Sequence, residues 1–155
     1  MKDELFGELE FDGFSWNGNI KTLIFDDEFA LIIQAEDESQ TVTDAQRAVY
    51  RAFADNAQQL LPQMLDGMVE FYNDELKYSY GENDMWADID TPEQLLEHIK
   101  PDALIVPYDN IAEDFGSIYL TFLCDWEEDE AEQNGIAVEI ANGEIEQINT
   151  SDIAF

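Results

Sequence analysis

The sequence predicts an α+β fold: a mainly antiparallel β-sheet with helices packed on one face. Two observations carry the prediction. β-branched and aromatic runs fill residues 4–35 and 103–149, whereas the intervening residues 43–76 repeat their apolar positions with helical spacing. The length of 155 residues, with 45% hydrophobic and 12% aromatic content, is enough to bury one core without staples. No repeat or linker interrupts the chain, so residues 1–155 are expected to form a single domain.

The elements follow in order. "ELFGELEF" (4–11) alternates in period two, with Leu5, Gly7, Leu9 and Phe11 on one side, and reads as a half-buried strand. "FSWNGN" (14–19) supplies Asn-Gly turn chemistry, and "IKTLIF" and "FALIIQA" read as strands separated by the acidic turn "DDE". Thr43 is a good N-cap with Gln46 three residues on, a capping-box pattern. Ala45, Ala48, Val49, Ala52, Phe53, Ala57, Leu60 and Leu61 then form a stripe, which Met64, Leu65, Met68, Val69 and Tyr72 resume beyond Pro62. Pro62 either ends a first helix or bends a continuous one. "YSYGENDMWADID" (78–90) has no period and reads as a long surface loop. "TPEQLLEHIK" reads as a short helix capped by Thr91, opened by Pro92, carrying Lys100 in its last turn and stopped by Pro101. "ALIVPY" and "SIYLTFLCDW" read as strands, the second central. "GIAVEI" and "EIEQIN" form a hairpin turned at Asn142-Gly143.

Charge narrows the partners. Against 37 acids stand only Lys2, Lys21, Arg47, Arg51, Lys77 and Lys100, a net charge of −31. Such a chain repels nucleic acid and anionic membranes and attracts basic proteins. No stretch approaches the ~20 apolar residues of a membrane span, and no basic flank precedes a long apolar run at the N-terminus, so a cytoplasmic protein is expected. Cys124, the lone cysteine, sits in an apolar run and reads as a small core side chain.

The most concentrated chemistry is "CDWEEDEAEQNG" (124–135), six acids in twelve residues. Read as a calcium loop with Gly135 at position 6, it puts Glu130, Glu132 and Asn134 at 1, 3 and 5, but Val138 and Ala141 fall where ligands at 9 and 12 are needed. One Cys and one His are too few for a zinc site. His98, placed in the last turn of the short helix, reads as structural or solvent-facing. With 37 acids no carboxylate pair is singled out, and there is no phosphate loop, nucleophile elbow or HExxH helix. No enzyme, metal or cofactor is expected.

Taken together, "FGELEF…W.G", "QRAVYRAF" and "LTFLCDWEEDEAEQNGIAVEI…GEIEQINTSDIAF" resemble an uncharacterised family of small bacterial domains, found alone or beside polymorphic toxins, whose members read as immunity proteins. The resemblance spans essentially the whole chain. Family members carry Trp-Glu, an acid, His and Gly before a strand; here Trp126, Glu127, Glu128 and Gly135 match, while "DEAEQN" enlarges the turn and no His precedes Gly135. The resemblance implies an immunity or inhibitor protein that neutralises a basic toxin, such as a nuclease, by electrostatic complementarity. An interface needs an aromatic anchor as well as a field. The candidate partner-binding residues are therefore Trp126, Glu127, Glu128, Asp129, Glu130 and Glu132, with Trp86 and Asp88 as a second patch. The alternatives are a DNA-mimic inhibitor, whose acids would be spaced like phosphates, and a housekeeping domain whose charge serves solubility.

Overall fold

The computed structural model describes residues 2–21, 28–35, 37–39, 41–76, 89–107, 116–124, 135–141 and 143–150. Among these, seven strands form one sheet: β3 (Glu10–Phe11), β4 (Ser15–Ile20), β5 (Phe29–Gln34), β6 (Ile99–Val106), β7 (Ser117–Cys124), β8 (Ile136–Ala141) and β9 (Glu144–Thr150), neighbours in that order. A separate two-stranded ribbon pairs β1 (Lys2–Asp3) with β2 (Gly7–Glu8). Helix α1 spans Asp44–Phe71, opens into a π-helical turn at Tyr72–Leu76, and is followed by the short helix α2, Pro92–Leu96. The fold is α+β, with helices packed against a mainly antiparallel sheet.

The sheet's strands alternate between two buried faces. Leu31 and Ile33 of β5, Leu104 and Val106 of β6, Ile118, Leu120 and Phe122 of β7, and Ile136, Val138 and Ile140 of β8 join Phe53, Leu60, Met64, Leu65 and Met68 of α1 in the main core. Each such side chain contributes about 1.5–3 kcal/mol when fully buried. Cys124 is buried in this core, as its apolar setting predicts. The other face gathers Ala103, Ile105, Tyr119 and Ala137. Strand β7 is buried at every position but Leu123, which fits its place inside the sheet.

The capping box at Thr43 forms as the sequence predicts: Gln46 N–H donates to Thr43 Oγ1 at 3.0 Å, and Thr43 N–H donates to Gln46 Oε1 at 3.1 Å. From there α1 runs unbroken through Pro62, so the continuous-helix alternative holds. Pro62 is exposed, which keeps its ring off the packed stripe. Ala48 is exposed too, at the stripe's edge, and the buried Gln46 replaces it on the inner side. The β8–β9 hairpin is also as predicted, with Gly143 at φ 75°. That hairpin meets α1 closely: a Cβ on Gly67 would stand 2.4 Å from Ile148 Cδ1.

Three expectations need correction, and a fourth lies largely outside the described residues. Residues 4–11 are not one strand, because Asp3 Oδ1 accepts the N–H groups of Leu5 and Phe6 and turns the chain between β1 and β2. Asn17-Gly18 lies inside β4, not in a turn; a Cβ on Gly18 would sit 2.9 Å from the Glu8 carbonyl oxygen, so close backbone approach explains the glycine. Of "IKTLIF", Ile20 ends β4 and residues 22–27 lie outside the described set. The short helix stops at Leu96, and Lys100 and Pro101 belong to β6, where the register shifts between Pro101 and Ala103; His98 sits in the connecting turn, its N–H donating to Leu95 O. Within the mainly antiparallel sheet one ladder differs: β5 and β6 pair parallel, because α1 carries the chain from one end of β5 back to the start of β6. Of the predicted loop 78–90, residues 78–88 lie outside the described set, while Ile89 is buried.

Candidate functional site

The predicted partner-binding residues Trp126, Glu127, Glu128, Asp129, Glu130, Glu132, Trp86 and Asp88 all lie outside the described residues. Phe122 pairs with Ile136 and Cys124 pairs with Ile99, so the end of β7 and the starts of β8 and β6 meet at one end of the sheet. Helix α2 leads directly into that start of β6, and Asn73 in the π-helical turn donates to the carbonyl of Ile89 at 2.8 Å. The described flanks are thus the β6–β7–β8 end for one predicted patch, and the π-helical turn with Ile89 for the other.

Sequence reasoning passed over Phe14, which is 82% exposed. It stands at the tip of the β3–β4 hairpin in a pinned turn. Asp12 Oδ1 accepts the N–H of Phe14 at 2.9 Å and of Ser15 at 2.8 Å, and the Phe14 carbonyl accepts from Ala35 N–H. Those two N–H groups, Phe14 first, stabilise the carboxylate and hold Asp12 below its ordinary range. Glu10 and Asp12 are exposed beside the ring in sequence, and Asp37 and Glu38 follow Ala35. The result is an aromatic side chain presented on a fixed backbone in acidic surroundings. The sequence hides it because Phe14 sits in an apolar-looking "FSW" whose Trp16 is indeed core.

A second feature collects the scarce bases. Lys2, Arg47 and Arg51, half of the chain's six, line a groove of about 570 Å³ between the β1–β2 ribbon and the first turns of α1, with Asp3, Glu4, Leu5 and Asp44. Arg47 is fixed: its Nη2 donates to Asp3 Oδ2 at 2.5 Å and its Nη1 to the Val42 carbonyl at 3.0 Å and to Asp44 Oδ1 at 3.4 Å. Burial raises the Asp3 pKa, but the Arg47 guanidinium and the Leu5 and Phe6 N–H groups outweigh it and hold the carboxyl below its ordinary value. The same bond to Asp3 raises the Arg47 pKa.

On the second face of the sheet Glu139 is only 7% exposed. The Ser117 hydroxyl donates to its Oε2 at 2.6 Å and the Gln147 amide to its Oε1 at 2.7 Å. Alongside, Thr121 Oγ1 accepts from Ala103 N–H and donates to Asp102 Oδ2, both at 3.0 Å. Neutral hydroxyl and amide donors thus satisfy the Glu139 carboxylate within the sheet, an arrangement that orders β7, β8 and β9 against one another.

Among the described residues no three of His, Cys, Asp and Glu converge as a metal site, and no helix is long and apolar enough to cross a membrane. No curated protein and no solved structure matches the chain. One family does match, over residues 5–155, nearly the entire length and every element from the β1–β2 turn onward. The chain belongs to that family, DUF6985, described as a domain of unknown function.

Proposed function

We propose that this domain is a cytoplasmic binding protein of the immunity or inhibitor kind, which neutralises a basic protein, such as a bacterial toxin, by electrostatic complementarity. The observation that carries the reading is a net charge of −31 coupled to an exposed, backbone-pinned Phe14. A field of that size accelerates encounter with a basic partner and disfavours nucleic acid. A field alone gives rate without residence, so an aromatic that leaves water on docking supplies what the charge lacks. The acidic residues Glu127, Glu128, Asp129, Glu130 and Glu132 with Trp126, and Asp88 with Trp86, remain the proposed contact set, to which Phe14 is added.

The test pairs the full chain with the products of genes adjacent to its own, both as a pull-down at physiological salt and as rescue of cells that express those products. Replacing Glu128, Asp129, Glu130 and Glu132 together by Gln should slow association and flatten its salt dependence, with folding retained. Trp126→Ala and Phe14→Ala should mainly speed dissociation. A chain that binds no basic neighbour and rescues no cell is not an immunity protein, and its charge then serves solubility.

A further inference from the structure

We propose that the groove lined by Lys2, Arg47 and Arg51 is a binding site for a small oxyanion, a phosphate or carboxylate group, separate from the acidic contact surface. Six bases in 155 residues are few, and three of them border one concavity. Arg47 and Arg51 stand four apart on α1, which puts them on one side of the helix. Their roles differ. Arg47 is committed to Asp3, Val42 and Asp44, whereas the Lys2 and Arg51 residues are exposed and their side chains make no hydrogen bond or ion pair among the described residues. Of the three acids that line the groove, Asp3 and Asp44 both lie on Arg47, which leaves Glu4, while Glu8 stands opposite Lys2 across the ribbon.

The walls are set before any ligand arrives. Asp3 is buried and receives two backbone N–H groups besides the guanidinium, which fixes the ribbon that carries Lys2 against the helix that carries Arg51. Arg47, its charge met by Asp3 and Asp44, holds the wall in place, and the Lys2 ammonium and Arg51 guanidinium supply the donors. Guanidinium and ammonium groups so placed recognise oxyanions by charge-assisted hydrogen bonds.

The probes are inorganic phosphate and citrate, titrated into the full chain by thermal unfolding and by calorimetry, against sodium chloride at matched ionic strength. Chloride reports general screening. A saturable stabilisation beyond it is expected from at least one oxyanion, and Arg51→Gln or Lys2→Gln should weaken that affinity about tenfold or more, the loss of one charge-assisted bond. Neither substitution removes a bond within the described fold, so an unchanged midpoint in chloride serves as the folding control. Saturation by phosphate alone assigns the phosphate group, and by citrate alone the carboxylate. No saturable effect with either, or one that persists undiminished in the double substitution, overturns the site.

Discussion

Gln46 is the residue with the most to lose. Its oxygen completes the capping box, and its amide nitrogen donates to the carbonyls of Gln34 at 2.8 Å and Pro107 at 3.2 Å, the residues that end β5 and follow β6. The sequence shows only the first role, because the second depends on partners twelve and sixty-one residues away. Gln46→Ala leaves both carbonyls and the Thr43 N–H without this partner, and should cost roughly 2–4 kcal/mol in urea unfolding, well above the ~1 kcal/mol of a cap alone. Asp3 governs the acid limb. Its pKa is depressed in the folded state, so its contribution is present above the ordinary value of 3.8 and is lost as pH falls through the lower folded value. Asp12, whose carboxylate accepts the Phe14 and Ser15 N–H groups and is likewise held below its ordinary value, acts in the same sense. Thermal midpoints should therefore fall as pH drops below about 4. Asp3→Asn should lower the plateau, by roughly 1.5–3 kcal/mol for one charge-assisted bond, and soften the acid decline.

At the scale of elements, what was legible is what local chemistry specifies. The capping box at Thr43, the N-cap at Thr91, the helical stripe and the Gly143 hairpin all rest on residues within a few positions of one another. What misled was local chemistry overruled by a neighbour: Asn17-Gly18 is a turn signal used instead for close approach to Glu8, and the alternation of 4–11 is broken by the Asp3 side chain. Pro62 is a further conflict that packing overrides. It denies the helix one N–H bond yet sits on the exposed side of a 28-residue helix whose inner side is continuous core. Pro62→Ala should restore that bond and stabilise the domain by about 1–3 kcal/mol, with the melting temperature rising by ~2–4 °C per kcal/mol. A lowered midpoint would mean that the proline shapes the helix to the sheet.

For the whole molecule, the charge that defines the proposed function also weakens the fold. With 37 acids against six bases, screening should stabilise the free domain, and melts in low salt and in about 0.3 M sodium chloride should differ by a few degrees in that direction. A flat response would indicate that bound cations or ion pairs already balance the field. The charge was legible from composition, whereas the site was legible only in part. The acidic stretches stand out by density but lie outside the described residues, and Phe14 becomes visible as a candidate anchor only when its exposure and its pinned turn are known. The groove was harder still, since Lys2 lies 45 residues from Arg47 and only the ribbon's fold brings them together.

The parallel junction between β5 and β6 divides the sheet into two contiguous stretches of chain. Strands β3 to β5 pair with sequence neighbours, as do β6 to β9, and the one ladder between the two groups joins residues about seventy apart. Closing that ladder requires α1 to be in place, so it is entropically the most demanding step and the natural seam for partial opening. Hydrogen exchange should record it: amides of β7 and β8, enclosed on both sides by antiparallel neighbours, should exchange only through global unfolding, while those bridging β5 and β6 should share a lower free energy of opening with the N-terminal half of α1. The domain would then breathe as two leaves hinged on a helix.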